Sequence, residues 1–215
     1  MPTKPLILLG GGGHCKSVID VAESAGYAIL GVLDKPELVG SRIGDYQIIG
    51  TDDDIAKYAD NAEFVITVGQ IKSPAIRQKL DGLVKQFGGN LATIVADDAY
   101  VSKYANLGEG TVIMHKAFVN ADAIVGRNCI VNTMANIEHD CRIGDFCHIS
   151  TGATINGNVI IDECSFIGSQ SAVNQGVKIE SNVVVGSGSV VTSDISANNI
   201  VVGVPAKSII QIYNK

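Results

Sequence analysis

The 215-residue sequence contains no tryptophan, and only 5% of its residues are aromatic. No stretch approaches the roughly 20 consecutive apolar residues that a transmembrane helix requires. The N-terminus also lacks the charged and apolar regions of a secretory signal, so we expect a cytoplasmic protein. The net charge is −6 and basic residues form no long runs, which argues against a nucleic-acid-binding surface.

From residue 91 onward the chain carries a six-residue repeat. Every sixth residue from Val95 to Val191 is Val, Leu or Ile, and a small or β-branched residue lies four positions after each. A period of six fits neither an α-helix nor a flat strand. It is typical of a left-handed parallel β-helix, in which three hexads form one triangular coil. We therefore predict that the aliphatic residues fill the prism and that the small residues pack beside them.

Three of the five cysteines are explained by this repeat. Cys129, Cys141 and Cys147 occupy the small-residue position, which predicts reduced interior residues rather than disulfides or metal ligands. Cys15 and Cys164 have no C-x-x-C partner, and we expect both to be structural.

The first 90 residues have the pattern of a mononucleotide-binding βαβ unit. A strand over residues 5–9 runs into the glycine loop 10–13, and a helical pattern over 17–22 leads to a second strand that ends at Asp34. The other predicted elements are a helix after residues 51–54, a strand over 64–68 and a helix through 76–80. We thus predict a Rossmann-like domain over residues 1–90 and a β-helix domain with a C-terminal tail over 91–215.

The glycine loop departs from G-x-G-x-x-G, because Cys15 stands at the third glycine position. Backbone N–H groups and a helix N-terminus can still hold a diphosphate there. His14 would then lie at the phosphates, and Asp34 could reach a ribose or base. We interpret the region as a site for a nucleotide diphosphate sugar. The alternative is that the glycines only allow close packing of strand and helix.

Among the four histidines, His139 has the most suggestive surroundings, since Glu138 and Asp140 flank it. A carboxylate that binds one ring nitrogen makes the other a better base, so His139 is a candidate general base. The alternative is a solvated histidine on a turn. His115, His139 and His148 are spaced 24 and 9 residues apart. The first two therefore fall on different faces, and we predict no metal site.

Together these features resemble the PglD/NeuD-like family of bacterial sugar acetyltransferases, over essentially the whole chain. The resemblance rests on short motifs spread along the sequence. They are Gly12-Gly13-His14, Asp34, Gly69, Asn132-Thr133, the segment 137–148 and Gly203-Val204-Pro205-Ala206-Lys207.

The resemblance implies an acetyl-CoA-dependent N-acetyltransferase that acts on a nucleotide-linked 4-amino-4,6-dideoxy sugar, for surface polysaccharide or glycoprotein synthesis. His139 would be the general base in a direct attack on the thioester, tuned by Asp140, which stands where the family often has a longer glutamate. The implied acetyl-CoA contacts are His148, Ser169, Gly186, Ser187 and Gly188. The implied nucleotide-sugar contacts are Gly12, Gly13, His14, Asp34, Lys35, Gly69 and Asn132, with Lys35 in place of a second acidic residue.

The family also implies a homotrimer whose active sites lie between subunits. One alternative is an O-acetyltransferase of the sialic acid type. Another is a non-catalytic β-helix that serves as a scaffold or binding module. The resemblance is compatible with three nucleotides, UDP, GDP and dTDP.

Overall fold

The computed structural model describes residues 4–209. The chain divides into two compact units, one comprising Met1–Gly69 with Ala75–Asp97 and the other Gln70–Pro74 with Asp98–Lys215. Within residues 4–209, every helix is too short or too polar to cross a bilayer.

The first unit is built on a mainly parallel sheet. Its elements are β1 (Leu6–Leu9), α1 (Gly13–Ser24), β2 (Ile29–Leu33), β3 (Arg42–Ile43), β4 (Tyr46–Gly50), α2 (Ile55–Tyr58), β5 (Glu63–Ile66), α3 (Ala75–Gln86) and β6 (Ile94–Val95), with 3-10 turns at Pro36–Leu38 and Asp52–Asp54. The strand order is β3-β4-β2-β1-β5, and only β3 and β4 pair antiparallel. β1 lies at the centre and all four of its residues are fully buried, as its continuous apolar run predicts.

The helix expected after residues 51–54 is α2, and a 3-10 turn with a capping box between Thr51 and Asp54 precedes it. One detail differs from the sequence-based prediction. β5 ends two residues early, because the buried Arg77 guanidinium binds the carbonyls of Ile66 and Val68 at 2.9 and 2.7 Å. Those carbonyls are thus satisfied by a side chain of α3.

The second unit is a three-sided parallel β-helix. Face 1 contains Tyr100–Val101 (β7), Phe118–Val119 (β10), Asn136–Ile137 (β13), Thr154–Ile155 (β16), Ala172–Val173 (β19) and Val190–Val191 (β22). Face 2 contains Asn106–Leu107 (β8), Ile124–Val125 (β11), Arg142–Ile143 (β14), Ile160–Ile161 (β17) and Lys178–Ile179 (β20). Face 3 contains Val112–Ile113 (β9), Ile130–Val131 (β12), His148–Ile149 (β15), Phe166–Ile167 (β18), Val184–Val185 (β21), Ile200–Val202 (β23) and Lys207–Ser208 (β24).

The register of this prism follows the repeat. Val119 pairs with Ile137, so one coil takes 18 residues. From Ile113 to Val191, every aliphatic repeat residue is at most 3% exposed. Every sixth residue from Gly110 to Gly188 has a positive φ, so the chain turns each corner in the left-handed conformation. The predicted fold class, a Rossmann-like domain followed by a left-handed β-helix, is confirmed.

The cysteines of the repeat point inward as predicted. Cys129, Cys141 and Cys147 are fully buried, and none of the three forms a disulfide. Their thiols donate to backbone carbonyls at 3.1 to 3.3 Å, and burial raises the pKa of Cys141 and of Cys147. Burial also raises the pKa of the Cys15 thiol, to about 11. The thiols of Cys15, Cys141 and Cys147 are therefore protonated near neutral pH.

Candidate active site

The glycine loop lies between β1 and α1 in the first unit. A Cβ at Gly10 would lie 2.5 Å from Val68 Cγ2, and one at Gly11 would lie 2.8 Å from Asp34 Oδ2. A Cβ at Gly12 or Gly13 would meet nothing within 4 Å. Close packing therefore accounts for the first two glycines, whereas the second two border open space from which a ligand can approach the backbone.

Asp34 holds this loop in place. Its Oδ2 accepts a hydrogen bond from the Gly11 N–H, and its Oδ1 accepts one from the Lys35 N–H at 2.7 Å. A carboxylate has further lone pairs, so the predicted contact to a ligand stays compatible with these two bonds.

A cavity of about 800 Å³ opens where β1, β2 and β5 end. β1 lies between its two parallel neighbours, so this is the switch point at which open α/β sheets bind ligands. α1 begins there at Gly13, without a side-chain cap on its N-terminus. Six predicted residues line the cavity, namely Gly12, Gly13, His14, Asp34, Lys35 and Gly69. An ion pair between Lys79 and Asp52, 3.1 Å apart, also lines the cavity and was not predicted from the sequence.

In the second unit, His139 lies at the corner between face 1 and face 2. Its Nδ1 donates to Asp140 Oδ2 at 2.8 Å, and both side chains are more than half exposed. The hydrogen bond to Asp140 raises the pKa of His139 above its usual 6.5. Asp140 is also one of the positive-φ corner residues, with φ 63°. The same residue therefore turns the chain and fixes the imidazole with Nε2 as the basic nitrogen.

The Glu138 side chain is held by two amides of face 1. Its Oε2 accepts from Asn120 Nδ2 at 2.7 Å and its Oε1 from Asn136 Nδ2 at 3.0 Å. The bond from Asn136 and then that from Asn120 lower the pKa of Glu138. The carboxylate is thus anionic and fixed near neutral pH.

A cavity of about 560 Å³ adjoins this corner. Its lining residues are Glu138, His139, Asn156, Gly157, Asn158, Gln175 and Gly176. A Cβ at Gly157 would lie 2.7 Å from His139 Cε1 and 2.8 Å from Nε2, so glycine leaves the room that the imidazole occupies.

A second histidine–aspartate pair lies at another corner. His115 Nδ1 is 2.7 Å from Asp98 Oδ1, between face 3 and face 1. An aspartate partner alone therefore does not single out His139. The cavity and the fixed Glu138 carboxylate are what distinguish it.

His148 lies on face 3 and is only 7% exposed. Its Nδ1 donates to the Gln70 carbonyl at 2.8 Å, and its Nε2 accepts from Asn132 Nδ2 at 3.0 Å, an arrangement of a neutral ring. Phe166 packs edge-on against it, with ring centroids 5.1 Å apart. Asn132, predicted as a nucleotide-sugar contact, thus lies beside His148 in the β-helix.

The other predicted acetyl-CoA contacts lie at the corner between face 3 and face 1. The Gly188 N–H donates to the Ser169 carbonyl at 2.8 Å, and Ser169 Oγ is 2.9 Å from Ser150 Oγ. Gly186 and Ser187 precede Gly188 in the same turn. The structure therefore groups these residues along one edge of the prism, next to His148.

Comparisons with known proteins address the whole chain. Residues 5–80 match the PglD N-terminal domain family. The acetyltransferase domain of PglB from Neisseria gonorrhoeae FA1090 is 32% identical, covers 96% of this chain and 100% of its own, and superposes with a TM-score of 0.89. PerB from Caulobacter crescentus, solved in complex with CoA and GDP-perosamine, is 30% identical over 96% of this chain and 98% of its own, with a TM-score of 0.88. The chain belongs to the PglD/NeuD-like sugar acetyltransferase family.

WeeI from Acinetobacter baumannii AYE shares the fold, at 23% identity over 96% of this chain and 100% of its own, with a TM-score of 0.82. A comparison with curated proteins finds no match. Family membership confirms the predicted enzyme class, a sugar acetyltransferase with acetyl-CoA as acyl donor.

Within one chain of this PglD/NeuD-like acetyltransferase, the predicted acyl-transfer residues lie on two sides of the prism. His139 and Asp140 occupy the corner between faces 1 and 2, whereas His148 lies on face 3, which is opposite that corner. A three-sided prism does not bring an edge and its opposite side together. One acetyl group therefore cannot contact both histidines of the same chain.

Two residues that the sequence analysis missed support the site. The backbone of Gln70 fixes His148, and its side chain donates to the Phe146 carbonyl. No local pattern marks Gln70, which lies 78 residues from His148 along the chain. Gly157 lies one coil after His139. Its only signal in the sequence is that it is a glycine between two polar residues.

Proposed function

We propose that this enzyme transfers the acetyl group of acetyl-CoA to the amine of a nucleotide-linked 4-amino-4,6-dideoxy sugar. The observation that carries the proposal is the His139–Asp140 pair beside a cavity of about 560 Å³. It is supported by the similarity to PerB, solved with CoA and GDP-perosamine.

The chemistry requires one base and no covalent intermediate. The neutral sugar amine attacks the thioester carbonyl carbon while His139 Nε2 takes a proton from the nitrogen. The C–S bond breaks, and His139 passes that proton to the leaving CoA thiolate. Backbone N–H groups would stabilise the oxyanion. The thiols of Cys141 and Cys147 are buried and protonated, so they are unsuited to form an acyl-enzyme.

The first unit would bind the nucleotide part of the substrate. The uncapped N-terminus of α1 and the open space at Gly12 and Gly13 suit a diphosphate. His14 and Gly69 border the same cavity, and Asp34 and Lys35 lie at its β2 side. In this proposal these residues orient the sugar, and the β-helix supplies the acetyl group and the base.

The active site would be completed in a homotrimer. Because His139 and His148 lie on opposite sides of one prism, a site that uses both needs two chains. Three-fold symmetry repeats such an interface three times and leaves none open. We propose that the corner carrying His139 of one subunit faces His148 of the next.

The proposal is tested with acetyl-CoA and a panel of UDP-, GDP- and dTDP-linked 4-amino sugars, together with counterparts that carry a hydroxyl at C4. We expect CoA release with the amino sugars and acetylation at nitrogen, read by mass spectrometry. Acetylation of the hydroxyl sugars instead would indicate the O-acetyltransferase alternative. Failure of acetyl-CoA to bind in calorimetry would indicate a scaffold.

Asp140→Asn should move the pH profile of the reaction. Only neutral His139 accepts a proton, so kcat/KM rises with pH through the pKa of His139, which Asp140 raises. Without the carboxylate that pKa falls, and the rising limb moves to lower pH while the maximal rate drops. The control is Asp98→Asn, which alters the His115 pair and should leave the profile in place. If the rising limb of kcat/KM stays at the same pH in Asp140→Asn, the role assigned to the His139–Asp140 pair is wrong.

Gly157→Ala should lower kcat while the fold is retained. The new methyl group would lie 2.8 Å from His139 Nε2, and the exposed imidazole would have to turn out of its position. Misplacement by about 1 Å can cost on the order of 100-fold in rate. Gly82→Ala is the matched control, because a Cβ there meets nothing within 4 Å, and its kcat should equal the wild-type value. If the wild type, Gly157→Ala and Gly82→Ala have equal kcat values, the His139 imidazole tolerates the methyl group and the prediction is wrong.

A further inference from the structure

Glu138 is an anionic group at the proposed acceptor site that the acyl-transfer chemistry does not use. It adjoins His139 in sequence and lines the same cavity. Asn120 and Asn136 each donate one hydrogen bond to it, one to each oxygen. The backbone N–H of His139 also donates to the carboxylate, so three of its roughly four lone-pair positions are occupied. The fourth position can accept a hydrogen bond from a ligand.

The charge of the cavity is negative. Among the described residues that line it, Glu138 is the only carboxylate, and there is no lysine or arginine. His139 is neutral in its active form, so it does not offset the carboxylate. A cation is therefore favoured in this cavity and an anion is disfavoured.

The possible acceptors differ in this respect. A sugar amine is largely protonated in neutral solution, whereas a sugar hydroxyl is uncharged and a sialic acid carries a carboxylate. We infer that Glu138 selects the acceptor by binding the ammonium form of the sugar amine, an inference that rests on the proposed acetyl transfer. Glu138 thereby favours nitrogen over oxygen acceptors.

The proton balance agrees with this role. The bound ammonium first loses one proton to solvent, which leaves the neutral nucleophile beside His139. The C–N bond then forms and the C–S bond breaks, and the second proton passes through His139 to the CoA thiolate. Glu138 stays ionised throughout and takes no proton.

The test compares two ligands by calorimetry in the presence of CoA: GDP-perosamine and the same nucleotide sugar with a hydroxyl at C4. We expect the wild type to bind the amino sugar more tightly, and Glu138→Gln to weaken that binding by about tenfold or more. Its affinity for the hydroxyl sugar should change little. The control is Glu163→Gln, since Glu163 lies exposed at another corner and binds Ser181 Oγ at 2.9 Å.

Asn136→Ala is a second variant, which keeps the charge of Glu138 but removes one of its two amide donors. It should lower the preference for the amino sugar by a smaller factor than Glu138→Gln does. It also provides the test if the Glu138→Gln variant does not fold. Equal weakening of both ligands in Glu138→Gln would overturn the inference. If the wild type binds the amino sugar but does not acetylate it, the proposed function is wrong. The ratio of the affinities for the amino sugar and the hydroxyl sugar still tests the role of Glu138.

Discussion

We expect the His139→Ala variant to acetylate its nucleotide amino sugar about 10²- to 10⁴-fold more slowly than the wild type at saturating substrates. The variant loses the group that removes the proton as the C–N bond forms. The His139 side chain is 61% exposed, so its truncation leaves no cavity in the core and the fold should persist. The measurement is kcat, followed by CoA release.

The matched control is His115→Ala. His115 also pairs with an aspartate but lies at a different corner of the prism, so kcat should stay close to the wild-type value. The affinity of His139→Ala for acetyl-CoA should likewise be unchanged. If His139→Ala keeps most of its activity, the general base is another group, and the proposed mechanism is wrong.

The second large effect concerns two inactive variants that should restore activity when they assemble together. His139→Ala and His148→Ala each remove one side of the proposed site between subunits. When both are co-expressed in equal amounts, an interface is intact if one chain supplies His139 and its neighbour supplies His148. Random assembly makes that combination at about one quarter of the interfaces. We therefore expect about one quarter of wild-type activity.

A converse mixture checks the same geometry. Wild-type chains mixed equally with the double variant should give about one quarter of wild-type activity if two chains form each site, and about one half if one chain does. The first mixture could instead show no activity, and the second could show one half of wild-type activity. That result would place both histidines in a site formed by a single chain. Sedimentation of the mixtures would show whether the assembly is a trimer.

The fold was largely predictable because the residues that determine it recur at a fixed interval along the sequence. An aliphatic residue at every sixth position determines which side chains enter the prism, and the strands follow from Ile113 to Val191 without a slip. The corners were less apparent. Met134 and Phe146 adopt positive φ although neither residue type favours it, because the adjoining coils impose the turn there.

The site was predictable only in part. Carboxylates on both sides of His139 suggested that one would bind its ring, and the corner at Asp140 brings that one back onto Nδ1. Glu138, still on the extended strand path, lies instead among the amides of Asn120 and Asn136. Asn120 lies one coil before Glu138, and Asn136 lies on the same face in the strand that leads to it. The six-residue register indicates both positions.

Contacts between segments distant in sequence were not predictable. Gln70 fixes His148 through a backbone carbonyl, and any residue type carries that group. The residues 70–74 belong to the second unit although elements of the first unit precede and follow them. Nothing in their composition distinguishes them from an ordinary loop.

The coil length of 18 residues limits how this protein can change in evolution. Insertion of a single hexad would carry every later residue round to the next face, so His139 and the turns that follow it would lose their neighbours. Insertion of three hexads would instead lengthen the prism by one coil and return every face to its place. Natural variants of this architecture should therefore gain and lose length in whole coils, while single hexads are removed by selection.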